Sequence, residues 1–207
     1  MMPQSSHAAF LSRFVHRFMR RASAALALLL VTAITHAAGL DVDQLMQGLA
    51  QIRGGQASFV EKKYIAMLDK PVESSGELLY SAPDRLEKRT LKPKPESMIL
   101  DGGTLVIERG RQKHSLQLQD YPELAAVIDS IRGTLAGDRK ALERSYRLSL
   151  EGGVERWTLQ LLPIDEKMQA VIKHIRIAGA YQAVSSIEIN RADGDRSLML
   201  IEKLTAR

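Results

Sequence analysis

Apolar residues in this chain recur with two different periods, and the change of period separates helical from strand-like stretches. Between Asp41 and Arg53 they recur every three or four residues, which is the spacing of one face of an α-helix. Asp41 and Gln44 stand three residues apart at its start, as in a capping box, and Gly54-Gly55 follows as a stop signal. This segment predicts a short amphipathic helix.

Most of the remaining chain alternates between apolar and polar residues, the pattern of strands with one dry and one wet face. One such stretch reaches about Gln119 and another runs from Leu148 to the last residues, with about ten strands in all. Turn-forming residues separate the strands. These breaks are Ser74-Ser75-Gly76, Ala82-Pro83-Asp84, Pro93-Lys94-Pro95, Asp101-Gly102-Gly103, Gly110, Gly152-Gly153 and Ala192-Asp193-Gly194-Asp195.

Helical spacing returns between the two strand-like stretches. Asp120 is the expected cap, Pro122 lies in the first turn, and an apolar stripe continues to Leu135. A shorter helix is expected from Asp138 through Leu142. The chain therefore predicts one mainly β domain with antiparallel strands and two or three helices, without an internal repeat.

Residues 1–37 have the three regions of a secretory signal peptide. Four arginines precede an apolar run at residues 22–34, and small residues follow it. The run is shorter than the ~20 apolar residues that a transmembrane helix needs. We expect cleavage after Ala37 or Ala38 and a mature domain at residues 38–207.

Removing that segment changes the charge of the protein. The whole chain carries a net charge of +5, but all 24 acidic residues and only 25 of the 29 basic residues lie beyond residue 37. The mature domain is therefore nearly neutral, which argues against a nucleic-acid partner. The basic cluster of Lys88-Arg89 with Lys92 and Lys94 is interpreted as solvated charge at a strand end.

The chemistry available to the mature domain is limited. The chain has no cysteine, so it has no thiolate nucleophile, no cysteine metal site and no residue for lipid anchoring. Beyond the predicted signal, His114 and His174 stand alone without metal-ligand spacing and are interpreted as structural. No nucleophile elbow or phosphate-binding glycine loop is present. We expect neither an enzyme nor a cofactor or metal site.

The apolar strand faces can be buried in two ways. The sheet could fold into a sandwich that packs against itself, or it could remain a half-barrel with a vacant face under a helical lid. The chain has one Trp, five Tyr and four Phe, and Phe10, Phe14 and Phe18 lie in the predicted signal. Composition alone favours the sandwich, because core packing is the usual fate of an apolar face.

Three segments, in their order and spacing, resemble the outer-membrane lipoprotein carrier family, LolA. They are residues 56–62 (QASFVEK), 76–86 (GELLYSAPDRL) and 100–107 (LDGGTLVI), which are similar to the family's A-S-F-x-Q, G-x-L-x-x-x-x-P and D-G-x-x-L-W segments. The resemblance extends from about Val42 to Leu204.

This resemblance implies an incomplete antiparallel β-barrel closed by a helical lid, which reverses the preference for a sandwich. It implies a monomeric periplasmic carrier that accepts an acylated lipoprotein or lipid from an inner-membrane exporter and passes it to an outer-membrane acceptor. By strand parity, the lipid-binding positions would be Leu78, Tyr80, Leu86, Met98, Leu100, Leu105, Ile107, Leu116, Leu118, Trp157, Leu159, Leu161, Ile175, Ile177, Ile187, Ile189, Leu198 and Leu200.

Two features depart from the family pattern. Family members commonly carry an arginine immediately before the proline of the turn between the second and third strands, where it helps to hold the lid, and this chain has Ala82 there. Arg85 would point to the opposite face of a regular strand. The chain also ends at Arg207 without the family's usual C-terminal extension. Both differences favour another acylated cargo, such as a glycolipid or a polyene lipid moved by a dedicated exporter.

Two other functions remain open. An envelope interaction or sensor protein would share the half-barrel, although that type carries a second domain for which this chain has no room. A secreted hydrolase would need catalytic groups, for which His114 and His174 are the candidates.

Overall fold

The computed structural model describes residues 39–203. The predicted signal peptide and the end of the chain at residues 204–207 lie outside the described residues. The helices are α1 (Val42–Leu49), α2 (Pro122–Ala136), α3 (Arg139–Glu143) and α4 (Glu166–Gln169). The strands are β1 (Gly54–Tyr64), β2 (Val72–Ser81), β3 (Arg85–Lys92), β4 (Glu96–Asp101), β5 (Thr104–Arg109), β6 (Gln112–Gln117), β7 (Tyr146–Gly153), β8 (Arg156–Pro163), β9 (Ile172–Ala180), β10 (Ala183–Arg191) and β11 (Arg196–Lys203).

All eleven strands form one sheet in the order β6-β5-β4-β3-β2-β1-β11-β10-β9-β8-β7. Every neighbouring pair is antiparallel. The sheet is not closed, because β6 and β7 each have one free edge. The prediction of a mainly β, open antiparallel sheet with few helices is confirmed, and the sandwich that composition alone favoured is wrong.

Two hydrophobic clusters lie between the sheet and the helices. The larger cluster joins α1 and α3 to β7, β8, β9 and β10, and its largest fully buried side chains are Trp157 and Tyr146. The smaller cluster is built on Leu100, Leu105 and Leu118. We call the sheet face that carries both clusters the inner face and the opposite one the outer face.

The helix predictions agree with the structure except at their ends. Asp41 caps α1 in a capping box with Gln44, as expected. The helix ends at Leu49, and Gly54 already belongs to β1 rather than to the helix stop. The cap of α2 is Tyr121 instead of Asp120. Asp138 caps α3 through a hydrogen bond from the backbone of Ala141.

The strand predictions missed one strand and misplaced one turn. β1 was not recognised as a strand of its own, because its inward positions include the charged Glu61 and Lys63, which interrupt the apolar alternation. Ser74-Ser75-Gly76 lies inside β2 and is not a turn. Gly76 is required there by packing, since a Cβ atom at this position would stand 1.9 Å from the backbone oxygen of Arg89.

Candidate functional site

The strand register decides which predicted lining positions share the inner face, because directly paired residues in antiparallel strands point to the same side. Leu78 pairs with Ala57, which lies on the same side of β1 as the buried Phe59. Ile187 pairs with Ile177 on one side and with Met199 on the other. The inner-face positions that were predicted from parity are Leu78, Tyr80, Leu86, Met98, Leu100, Leu105, Ile107, Leu116, Trp157, Leu159, Leu161, Ile175, Ile177, Ile187 and Ile189. Leu118 lies just after β6 in a short 3₁₀ turn and is buried in the smaller cluster.

Leu198 and Leu200 lie on the outer face, so their placement with the other lining positions is wrong. Leu200 pairs with the exposed Val60 and is itself half exposed. Met199 and Ile201 point inward and pack against the larger cluster. Parity could not decide between the two pairs, because β11 is apolar at four successive positions.

The inner-face positions have two different environments. Trp157, Leu159, Leu161, Ile175 and Ile177 are at most 1% exposed within the larger cluster. The indole of Trp157 also donates to the backbone oxygen of Tyr181 at 2.9 Å. These side chains form a filled core in this structure. On β2 to β6, by contrast, most inner-face positions are only partly buried.

A cavity of about 520 Å³ lies between the inner face and the first turns of α2. Leu124 and Val127 of α2 form one wall, and Val171, Ile172 and Ile189 form the other. Among the predicted lining positions of the described chain, Ile189 is the one that contacts this cavity. These walls are apolar, and the cavity lies at one end of the sheet, where β1 and β10 end.

Charged side chains of both signs also line the cavity. They are Lys63, Arg191 and Arg196 and, with the opposite sign, Glu123 and Asp195. Arg191 pairs with Asp193 at 3.2 Å, and Arg196 pairs with Glu188 at 3.6 Å. Apolar walls combined with charged groups are the arrangement expected for an amphiphilic ligand.

A buried polar cluster lies at the floor of the cavity and was not foreseen from the sequence. Glu61 is 5% exposed, and its carboxylate contacts Lys88 Nζ at 2.5 Å. Ser197 Oγ donates to Glu61 Oε1 at 2.7 Å, and Ser74 Oγ approaches Oε2 at 3.4 Å. Lys88 Nζ also lies 4.9 Å from the centroid of the Phe59 ring. The interpretation of Lys88 as solvated charge is therefore wrong.

Glu61 is held ionised by its neighbours. Burial raises the pKa of this carboxyl group, but the charge of Lys88, hydrogen bonds from Lys88 and Ser197, and the charge of Lys63 together outweigh burial. The net pKa of Glu61 lies below its usual value. A signal for this cluster was present, because Glu61 stands two residues after Phe59 and shares its strand parity.

Helix α2 packs against both hydrophobic clusters. Leu124, Ala125 and Ile128 pack against the smaller cluster, and Val127 and Ile131 pack against the larger one. No other helix of the described residues contributes side chains to both clusters. A displacement of α2 would therefore uncover the inner face of β4 to β6.

Two kinds of contact hold the C-terminal half of α2. Gly133 and the cap residue Gly137 allow contacts so close that a Cβ atom would meet Leu142 Cδ2 at 2.8 Å and the backbone oxygen of Met46 at 2.2 Å, respectively. Next to Gly133, Arg132 Nη1 donates to the backbone oxygen of Gly102 in the β4–β5 turn at 2.8 Å. Arg132 thus ties α2 to the far half of the sheet.

Arg85 does not take the place of the arginine that family members commonly carry at the position of Ala82. Its guanidinium pairs with Asp101 at 2.6 Å, and its register with Ser81 places it on the outer face, as expected from parity. The inner-face cation of this region is instead Lys88.

The two histidines are far from each other in the sheet register. His114 pairs with Ile107 on β5, and His174 pairs with Asn190 on β10. Burial, with the nearby Arg176, lowers the pKa of His174. Within residues 39–203, no three His, Asp or Glu side chains come together as a metal site. None of the helices in that range has both the length and the apolar character needed to cross a membrane.

A comparison with curated protein sequences gave no match. Among solved structures, a LolA superfamily protein from Nitrosomonas europaea is 12% identical, with 81% of this chain and 95% of that chain covered and a TM-score of 0.45. A chain in the structure of the Pseudomonas aeruginosa MucA/MucB complex is 15% identical. The match covers 81% of this chain and 59% of that chain, with a TM-score of 0.44.

A third solved structure, a DUF1329 family protein from Desulfovibrio piger, is 8% identical, with coverages of 78% and 89% and a TM-score of 0.43. The family model described as outer membrane lipoprotein carrier protein LolA-like matches residues 34–205, which is most of the chain. The chain therefore belongs to the LolA-like outer membrane lipoprotein carrier family.

Proposed function

We propose that this protein is a periplasmic carrier that shelters the acyl chains of a lipoprotein or another lipid and moves them from the inner membrane towards the outer membrane. It would act as a monomer, receive its cargo from an inner-membrane exporter and release it to an outer-membrane acceptor, without catalysing a reaction. The observation that carries the proposal is the cavity of about 520 Å³ between α2 and the open sheet.

The energetics of acyl chains require such a shelter. Exposure of an acyl chain to water costs ~0.8 kcal/mol per CH₂ group, so a chain of about sixteen carbons needs apolar contact worth on the order of 12 kcal/mol. The cavity walls supply part of this contact. The rest would come from the inner face of β4 to β6 once α2 moves away from Leu100 and Leu105.

The decisive experiment is to identify what the protein carries. Protein purified from the periplasm under mild conditions should release acylated molecules on solvent extraction, and mass spectrometry of the extract would name their class. If the extract contained no acylated species above the level of a control periplasmic protein, the carrier function would be wrong.

Filling the cavity should weaken lipid binding. Val127→Trp places an indole between the cavity walls, and we expect at least a tenfold weaker affinity for a fluorescent fatty acid, equivalent to ~1.4 kcal/mol. Titration monitored by fluorescence measures the change. Val154→Trp is the matched control, because Val154 is 49% exposed in the β7–β8 turn. Equal affinity in both variants would show that the fatty acid binds elsewhere.

Releasing α2 from the β4–β5 turn should accelerate cargo release. Arg132→Ala removes the hydrogen bond to Gly102, a charge-assisted contact worth ~1 kcal/mol at this partly exposed site. We expect the dissociation rate of the fluorescent fatty acid to rise about fivefold in stopped-flow measurements.

Arg139→Ala is the control for this experiment. Arg139 binds Asp43 of α1 at 2.7 Å and Glu143 at 2.8 Å, so it connects helices to each other and not to the sheet. Its variant should release the probe at the wild-type rate. A similar acceleration in both variants would mean that general loosening, and not the attachment of α2 to the sheet, controls release.

A further inference from the structure

The segment between β1 and β2, residues 65–71, carries exposed apolar side chains at its tip. Met67 is 91% exposed and Leu68 is 51% exposed. Tyr64 and Val72, at the adjoining strand ends, are also exposed. Four of the twelve exposed large hydrophobic residues in the described chain thus fall within this single hairpin. Such a concentration is unusual, because exposed apolar residues are normally scattered singly over a surface.

The hairpin tip is held in place by hydrogen bonds. Leu68 donates its backbone N–H to Ile65 at 2.8 Å, which closes a turn under Met67. The backbone N–H of Ala66 donates to the Asp195 carboxylate at 2.9 Å. This second bond attaches the tip to the β10–β11 turn, and Arg196 stacks on the Tyr64 ring at 4.5 Å from its centroid. Met67 and Leu68 are thus presented outward from a supported loop.

The same hairpin forms part of the cavity lining. Tyr64 and Ile65 line the cavity, as do Asp195 and Arg196, to which the tip is attached. Met67 and Leu68 therefore lie within three residues of Ile65, which lines the cavity. Lys63 and Lys70 flank the tip at exposed positions, with Asp69 exposed between them. Lys63 lies 3.8 Å from Glu61, whereas the ammonium group of Lys70 could reach lipid phosphates while its aliphatic stem stays in the apolar region.

We propose that residues 65–71 dock on a lipid bilayer, with Met67 and Leu68 inserted among the acyl chains and the cavity mouth turned towards the membrane. The occupant of this surface is a membrane and not a folded protein. The apolar tip is small, since Met67 and Leu68 are its two large exposed apolar side chains, whereas a stable protein interface needs a broad surface with a central apolar patch. The inference goes beyond the proposed function, and it explains how an acyl chain would pass between the cavity and a bilayer without crossing water.

Vesicle binding tests this inference separately from cargo binding. Vesicles of phosphatidylethanolamine and phosphatidylglycerol should bind the purified protein in a flotation assay. We expect Met67→Ser/Leu68→Ser to bind at least tenfold more weakly, a difference of ~1.4 kcal/mol. The control Leu91→Ser/Val154→Ser removes two exposed apolar side chains elsewhere, one at the end of β3 and one in the β7–β8 turn, and should bind like the wild type. Fluorescent fatty acid binding in solution should be unchanged in both.

A second measurement reports insertion directly. Met67→Trp should show a blue-shifted emission with vesicles and quenching by brominated lipids, whereas the native Trp157 is fully buried and should not respond. Absence of vesicle binding by the wild type would overturn the proposal in favour of a protein partner at the tip. Equal binding by the two double variants, or an unquenched Met67→Trp, would also overturn it. Loss of vesicle binding with intact fatty acid binding supports it.

Discussion

Lys88→Met should destabilise the protein by about 3 kcal/mol at neutral pH, because it leaves the carboxylate of Glu61 buried without its main partner. This value is at the lower end for a broken buried pair, since the Lys88 side chain is still 22% exposed and Ser197 continues to donate to Glu61. The free energy of unfolding in urea measures the loss. A change below 1 kcal/mol would show that water replaces Lys88 without penalty.

The contribution of Glu61 to the pH dependence of stability should have opposite signs in the wild type and in Lys88→Met. In the wild type, the lowered pKa of Glu61 contributes stability above its ordinary pKa near 4.5, and this contribution is lost as the pH falls through the folded-state pKa. In Lys88→Met, burial becomes the dominant influence and should raise the pKa of Glu61. The destabilisation of the variant relative to the wild type should therefore shrink as the pH is lowered.

The double variant Glu61→Leu/Lys88→Met distinguishes the contribution of the ion pair to stability from the contribution of the other contacts of Lys88. Replacement of a buried ion pair by apolar side chains is often neutral or stabilising, so the double variant should recover most of the stability lost in Lys88→Met. If it remained as unstable as the single variant, Lys88 would contribute mainly through its contact with the Phe59 ring.

Gly76→Ala should cost about 3 kcal/mol, because the new methyl group would lie 1.9 Å from the backbone oxygen of Arg89. Neither partner can yield easily, since Gly76 stands at a register shift between β2 and β3 where two backbones approach each other. Thermal unfolding followed by circular dichroism measures the effect. The expected result is a lower midpoint with unchanged strand content.

Gly55→Ala is the matched control in the neighbouring strand. An ideal Cβ at Gly55 meets no atom within 4 Å, and alanine is preferred to glycine inside strands by about 0.5–1 kcal/mol. This variant should be as stable as the wild type or slightly more stable. If both alanine variants lost the same stability, backbone proximity at Gly76 would not be the cause.

The fold could be predicted well from the local pattern of apolar and polar residues. The main errors of that prediction have identifiable causes. The α1 capping box follows from two residues three positions apart, so the sequence shows it directly. Gly76 was misread because a glycine next to two serines is typical of a turn, while its actual requirement comes from the β2–β3 register. Leu198 and Leu200 were placed on the wrong face because Met199 and Ile201 offer an equally apolar alternative.

The candidate site was less predictable than the fold. Strand parity finds the inner face, but it does not distinguish filled regions from empty ones, and Trp157, Leu159 and Ile175 proved to be a packed core under α1 and α3. The cavity depends on where α2 lies, which is decided by contacts between residues far apart in the chain. The Glu61–Lys88 pair joins β1 to β3 across β2, so the parity of Glu61 with Phe59 could indicate a buried carboxylate but not its partner.

The position of β1 at the middle of the sheet has a consequence for how the protein acquires its structure. β1 is the first strand to be synthesised, and one of its edges is occupied by β11, with Ala57 paired to Lys203. Both halves of the sheet are therefore joined by a pairing between the earliest and the latest segments of the chain. Pairings of such high sequence separation form slowly. The sheet can assemble completely only after synthesis has reached the last strand, so an incomplete chain would remain accessible to chaperones and proteases until that moment.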